Sequence, residues 1–256
     1  MGLVDTDQGK KIMINIKKLM PSFMLPFIRR LLGKGAEAGY SRFHYSQCGE
    51  DIVLRQLNFA IGLPEKGFYI DVGAYHPFEG SNTFVLHQKG WRGINIDPNP
   101  RCKPLFDKYR PNDINLSCGI SQTGGMMKYY MLRASSMNTF SKEKLESLEM
   151  LNQVTQTIEV ETEPLSLIIK ERVPGDVRID FLNIDAEGYE MEVLNSIDWN
   201  YKQPKIIALE QNNVFSMEEV LKSDAYVFLN RLNYTPVAKN LVTKTISTIF
   251  YVKKNI

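Results

Sequence analysis

Four short apolar runs, each closing on or beside a carboxylate, constrain this chain more than any other feature: Gly67 to Ala74 (GFYIDVGA), Gly93 to Pro98 (GINIDP), Phe181 to Asp185 (FLNID) and Lys205 to Glu210 (KIIALE). Runs this short and this apolar read as strands buried on both faces, the pattern of a parallel sheet rather than of a sheet with one wet face. Helical segments separate or follow them: Ser81 to Gly90, with Ser81 or Asn82 as cap and Gly90 as stop, about Tyr189 to Ile197, and Met217 to Leu232. Ile114 to Ile120 reads as a further strand, and strands near Tyr234 to Ala238 and Thr248 to Lys253 close the chain. The expectation is an α/β fold, a Rossmann-like, mostly parallel seven-stranded sheet with helices on both faces.

Two regions depart from this alternation. Within 126–160 lies a polar, Met- and Ser-rich piece (RASSMNTFSKEKLESLEM), read as a hairpin followed by a lid, so a lid or hairpin insertion is expected near 122–160. Its strandlike end, Thr157 to Val160, leads into a short helix around Leu165 to Lys170. Residues 1–40 form a separate N-terminal extension ahead of one domain at 41–256. There Lys10, Lys11, Lys17, Lys18, Arg29, Arg30 and Lys34 alternate with Ile, Leu, Met and Phe before a Gly-rich stretch, Gly33 to Gly39. Such a basic amphipathic helix either lies on an anionic membrane surface, as a peripheral contact, or packs its apolar face on the domain or on a second subunit of a homodimer. Packing is the commoner behaviour.

Composition removes several classes. The 31 basic and 29 acidic side chains leave a formal charge of +2, with no field that would gather a polyanion, so nucleic acid is not expected as a partner. Cys48, Cys102 and Cys118 lack the paired spacing of a disulfide framework or zinc site, which suits a reducing cytoplasm. The apolar stretch Met13 to Leu32 is broken by Lys17, Lys18, Pro21, Pro26, Arg29 and Arg30, so it does not span a bilayer, and no small-residue cleavage site follows to mark a secretory signal. The expected location is the cytoplasm, with the inner membrane face as an option through the N-terminal helix.

Ligands of an open α/β sheet bind outside the carboxyl ends of its strands. Those ends carry Asp71 and Gly73, Asp97, Cys118 to Ser121, Asp185 to Glu187, and Glu210 to Asn212. Gly73 allows a sharp turn and close ligand approach, and Asp71 can orient that loop or accept from a ligand amine. Asp97 stands 26 residues after Asp71, near the offset at which a Rossmann acid reaches ribose hydroxyls, so the pair points to an adenosine ligand. Gly73 is followed by Ala74-Tyr75-His76-Pro77 and not by a G-x-G-x-x-G loop, which leaves a pyrophosphate without a cradle.

These residues resemble the FkbM-type methyltransferases, class I enzymes that methylate oxygen, often on sugars or polyketides. The resemblance is carried by YSQCGEDIVL (Tyr45 to Leu54), FYIDVGAYHPFEGSNT (Phe68 to Thr83), GWRGINIDPNP (Gly90 to Pro100) and, most specifically, DFLNIDAEGYEMEVL (Asp180 to Leu194). It implies S-adenosylmethionine as methyl donor. The Asp71 to Ala74 loop would face its methionine end, Asp97 its ribose, and Cys118 to Ser121, with Gly119, its adenine. Ser81 and Asn82 would hold the methionine carboxylate by side chain and helix N-terminus. Gln47 and Asp51 would belong to a cap over the cofactor, although Ser46 to Asp51 reads equally as a helix start with acidic first-turn residues. Where many relatives have a further glycine, this chain has His76-Pro77.

Methyl transfer to oxygen needs a group that takes the hydroxyl proton. One reading makes Asp185 or Glu187 the general base, with His76 as a further candidate beside the cofactor strand. The other makes Asp185, Glu210 and Asn212 ligands of a Mg2+ ion that binds two substrate hydroxyls, since some members of the resembled family depend on magnesium. Glu187 and Glu190 also suit a plain role as first-turn helix acids. Of the other histidines, His44 adjoins the Ser46 block and His87 falls inside a helix; Tyr75 and Trp91 are candidates for stacking or for core. The expected substrate is a small-molecule or nucleotide-linked sugar of a surface glycan. Two rivals share the sheet: an NAD-dependent nucleotide-sugar oxidoreductase, disfavoured by the missing glycine loop, and a non-catalytic nucleoside-binding protein, disfavoured by the intact strand-end acids. Ile184-Asp185-Ala186-Glu187 stands where an amine-methylating enzyme would carry an Asn/Asp-Pro-Pro-aromatic loop.

Overall fold

The computed structural model describes residues 44–254. The N-terminal extension, and with it the membrane and packing readings of its helix, lies outside the described residues.

Among the described residues, one sheet of seven strands runs β3-β2-β1-β7-β8-β10-β9. Here β1 is Phe68–Val72, β2 Arg92–Ile96, β3 Ile114–Leu116, β7 Phe181–Ile184, β8 Ile206–Asn212, β9 Tyr234–Leu241 and β10 Ile246–Lys253. The first five of that order pair in parallel, while β10 runs antiparallel to both β8 and β9. The chain therefore builds outward from β1 to β3, returns, and builds the other way from β7. The β1/β7 boundary is the switch point where a crevice opens at the strand carboxyl ends.

The two-residue alternation of a strand sorts the apolar side chains onto both faces. Ile70, Val72, Leu182, Ile184, Ile207 and Leu209 point to one side, where they join helices α5 (Leu165–Arg172), α6 (Glu190–Asn195) and α8 (Asp224–Arg231) in the larger core. Tyr69, Phe181, Ile206, Ala208 and Phe250 point to the other, onto α1 (Glu50–Ile61) and α2 (Phe84–Gln88). Burial on both faces explains why these strands read as unbroken apolar runs.

Several element boundaries differ from expectation. The run 114–120 splits: β3 stays in the main sheet, and β4 (Gly119–Ile120) pairs with β6 (Val154–Glu163) in a second sheet of order β4-β6-β5. The hairpin is β5 (Gly125–Leu132) with β6, and the Ser-rich piece is the connection between its strands. That connection holds two 3₁₀ turns, Ser135–Met137 and Leu151–Gln153, with helix α4 (Lys142–Ser147), whose cap is Ser141, between them. The expected long helix 217–232 is two, α7 (Met217–Val220) and α8, each with its own serine cap: Ser216 forms a capping box with Glu219, and Ser223 accepts from Tyr226 N. Helix α3 (Cys102–Tyr109), between β2 and β3, was not anticipated. Helix α2 is five residues long and starts after Thr83, whose own side chain makes no cap bond; Ser81 is the capping residue as expected, its Oγ accepting from Thr83 N and Phe84 N, while the helix ends at Gln88, short of the expected length and dipole.

Candidate active site

A cavity of about 570 Å3 opens at the carboxyl ends of the parallel strands. Its wall takes the first loop (Asp71 to Tyr75), Gly80 to Asn82, Asp97, Cys118 to Ile120, and the acids Asp185, Glu187 and Glu210. Tyr129 and Phe140, from the hairpin and its connection, and Gln47 complete the surround.

The first loop is held from below. Gly73 has φ +79, and a Cβ there would stand 1.7 Å from the carbonyl oxygen of Asp185, so both the turn and the neighbouring strand end exclude any larger residue. Gly73 N and Ala74 N donate to Ile96 O, tying the loop to β2. Asp71 is buried, accepting from Thr83 Oγ1 at 2.6 Å and Asn183 Nδ2 at 2.9 Å. Burial raises its carboxyl above the usual range, against the pull of Thr83, Arg110 and Asn183. Asp97 accepts from Asn99 N and Tyr75 N, both at 2.8 Å, and burial lifts it to about 6. The backbone of Tyr75 that makes this bond sits at φ +53, an uncommon conformation for a non-glycine residue.

The acid end is built differently. Asp185, Glu187 and Glu210 place one carboxylate oxygen each within 4.8 Å of one another. Asp185 Oδ1 and Glu210 Oε1 are buried and have no hydrogen-bond partner. Burial, then the neighbouring carboxylates, push Asp185 well above the usual range and Glu210 to about 8. Glu187, at φ +51, is held by the hairpin connection: Lys144 Nζ donates to its carboxylate, and Thr139 Oγ1 donates to its carbonyl at 2.7 Å. Burial alone would lower the Lys144 ammonium; Glu187, Glu190 and Glu210 raise it. Glu190 is the loop's brace, its Oε1 accepting from Ala186 N and Gly188 N.

The profile of the methyltransferase FkbM domain matches residues 71–236. The chain belongs to this family. Among curated proteins no significant match is found. Solved structures with a similar outline include the Burkholderia thailandensis 1,6-didemethyltoxoflavin-N1-methyltransferase with S-adenosylhomocysteine bound, at 13% identity and TM-score 0.41, covering 82% of this chain and 78% of that one. A TehB-like SAM-dependent methyltransferase of Corynebacterium glutamicum gives 10% and 0.38, covering 92% and 100%. The Bacillus cereus O-methyltransferase in complex with S-adenosylhomocysteine gives 15% and 0.36, covering 80% and 91%.

Within this FkbM-domain methyltransferase, Asp71, Gly73, Ala74, Ser81, Asn82, Asp97, Gly119, Gln47, Asp185, Glu187 and Glu210 share one cavity wall. Three expectations are corrected, at Asp51, Asn212 and His76, and one open alternative, Trp91, is resolved. Asp51 is buried away from the cavity, its carboxylate taking Tyr45 N and Ser46 Oγ, so it organises the turn before α1 rather than a cofactor. Asn212 is exposed and does not line the cavity, while the Glu187 carboxylate lies with those of Asp185 and Glu210. His76 lies outside the cavity wall; its Nδ1 accepts from Glu79 N at 3.0 Å, which makes it a turn organiser, and burial lowers its pKa. Trp91 is core, with its indole N–H donated to Glu65 O. Of the remaining histidines, His44 bonds Ser46 O and His87 lies 3.2 Å from Asp113. Lys144 and the fully buried Arg110 carried no signal in the sequence beyond ordinary surface charge. No helix of the described residues is long and apolar enough to cross a membrane.

Proposed function

We propose that this chain is an S-adenosylmethionine-dependent O-methyltransferase whose acceptor is a sugar hydroxyl, on a surface glycan or its nucleotide-linked precursor. The observation that carries the reading is the pair of buried, unpartnered carboxylate oxygens, Asp185 Oδ1 and Glu210 Oε1, in the wall of the cavity whose other side is the Asp71–Asp97 pocket. Unpaired buried acceptors are costly, and hydroxyl-rich ligands satisfy them. Family membership and the absence of a pyrophosphate cradle favour this over the oxidoreductase.

The donor supplies an electrophilic methyl group on a sulfonium. Everything else falls to the chain. Asp97, with one backbone N–H on each oxygen, retains capacity for ribose hydroxyls. Asp71 faces the amine, and Cys118 to Ile120 line the adenine side. As the acceptor oxygen bonds to the methyl carbon and the carbon–sulfur bond breaks, the hydroxyl proton passes to a carboxylate of the Asp185–Glu210 pair. A carboxyl near neutrality, as at Glu210, is matched to that task.

The same donor set fits a hard divalent cation. Asp185, Glu187 and Glu210 offer three oxygens, two of them from carboxylates with an unpartnered atom, and Mg2+ bound there would lower the pKa of a coordinated hydroxyl. Screening free and nucleotide-linked sugars for methyl transfer, with and without chelator, tests both parts. Transfer to a sugar oxygen is the expected result; transfer only to nitrogen or carbon acceptors contradicts the proposal, and full activity in chelator removes the magnesium.

A further inference from the structure

Arg110 is the largest charged side chain buried completely among the described residues, and it does not reach the cavity. Its guanidinium lies between the rings of Phe84 and Phe106, 5.4 and 5.2 Å from their centroids. Burying such a group is costly unless its donors are used, and most of them converge on the segment that follows the first loop, Pro77 to Thr83. Nη2 donates to Ser81 Oγ at 2.8 Å and to Pro77 O. Nη1 donates to Thr83 Oγ1 at 2.8 Å and approaches Asn95 Oδ1 at 3.2 Å.

Following the protons through this network fixes the polarity of two hydroxyls. Thr83 Oγ1 accepts from Arg110 and is 2.6 Å from Asp71 Oδ2, so its own hydrogen goes to Asp71. Ser81 Oγ accepts from Arg110 and from the backbone N–H of Thr83 and Phe84. Its hydrogen is left for Thr83 Oγ1, at a long 3.3 Å, or for an acceptor in the cavity that Ser81 lines. The result is a wall with two ends: a carboxylate at Asp71, suited to an ammonium, and a cation-backed hydroxyl donor at Ser81, suited to a carboxylate. That is the complement of an amino-acid zwitterion, made without a long helix dipole.

We propose that Arg110 is a positioning residue of the donor site, acting through Ser81 to recognise the α-carboxylate of the donor's methionine end. The proposal rests on the donor reading above. Calorimetric titration of the full chain with S-adenosylhomocysteine, and with the analogue that lacks its carboxylate, separates this role from support of the fold. Arg110→Gln and Ser81→Ala should each weaken S-adenosylhomocysteine about tenfold or more, as loss of a charge-assisted hydrogen bond does, while changing the decarboxylated analogue less than about threefold. Should Arg110→Gln not fold, Arg110→Lys carries the same test, because a single ammonium does not serve Pro77 O, Ser81 and Thr83 together. Equal losses for the two ligands, or no loss for either, overturn the role of Arg110 and leave the donor site standing. No binding of either ligand by the wild type overturns the donor reading, and the role of Arg110 with it.

Discussion

The two ends of the cavity carry the same side-chain chemistry and treat it in opposite ways. At the β1 and β2 ends, both oxygens of Asp71 and of Asp97 accept hydrogen bonds from the protein. At the β7 and β8 ends, Asp185 Oδ1 and Glu210 Oε1 accept none. Satisfied carboxylates are fixed in direction and form a preorganised mould; unsatisfied ones keep free energy in reserve for a proton, a cation or a substrate hydroxyl. Binding is assigned to the first kind and chemistry to the second. Gly73 joins them, since its missing Cβ lets the first loop lie against the Asp185 carbonyl.

The largest test of this division is removal of the acids. Asp185→Asn or Glu210→Gln should lower methyl transfer by about 10²–10⁴-fold, the usual size of a lost acid–base group, with donor affinity changed little. Loss of donor binding in step with turnover would break the division. Glu210→Gln should also change stability. Glu210 has a folded pKa of about 8, raised above its ordinary value, so its contribution is full below the unfolded pKa and is lost as pH rises through about 8. Wild type should therefore melt at lower temperature at pH 9 than at pH 6, and the variant should show a smaller difference. Calorimetric melting checks it.

Next in size is the joint between the two ends. Gly73→Ala forces a methyl into the Asp185 carbonyl at positive φ and should cost about 3 kcal/mol, read by urea denaturation, together with donor binding. A variant of normal stability that binds the donor would show that the ends are not mechanically joined. A smaller effect belongs to the mould. Asp97, at about 6, must be ionised to accept two ribose hydroxyls, so S-adenosylhomocysteine affinity should fall about tenfold per unit well below pH 6 and be flat above it. The smallest is Lys144→Met, which removes the ammonium from Glu187 and should raise the pH midpoint of turnover by less than about one unit while leaving donor affinity alone.

This contrast also marks what the sequence makes legible. Strand-end acids are visible because a short apolar run has only one place to put a carboxylate. The path of the chain between strands is less so: Glu187 reads as a first-turn helix acid, yet its left-handed backbone turns it into the acid group in the place expected of Asn212. The break between α7 and α8 was available, since Ser216-x-x-Glu219 and Ser223 are two helix starts within eight residues. Ser117 and Cys118 are no stronger as breakers than their neighbours, which is why 114–120 reads as one strand. Arg110 and Lys144 are the hardest cases. Their partners lie 15–41 and 43 residues away in sequence, and nothing local separates them from surface cations.

The central claim is that the Asp71–Asp97 end holds the donor. Titration calorimetry with S-adenosylmethionine, wild type against Asp97→Ala, addresses it without knowledge of the acceptor. One-to-one binding by the wild type and a loss of about tenfold or more in the variant are predicted. No binding by the wild type, or equal affinity in the two proteins, would contradict the account.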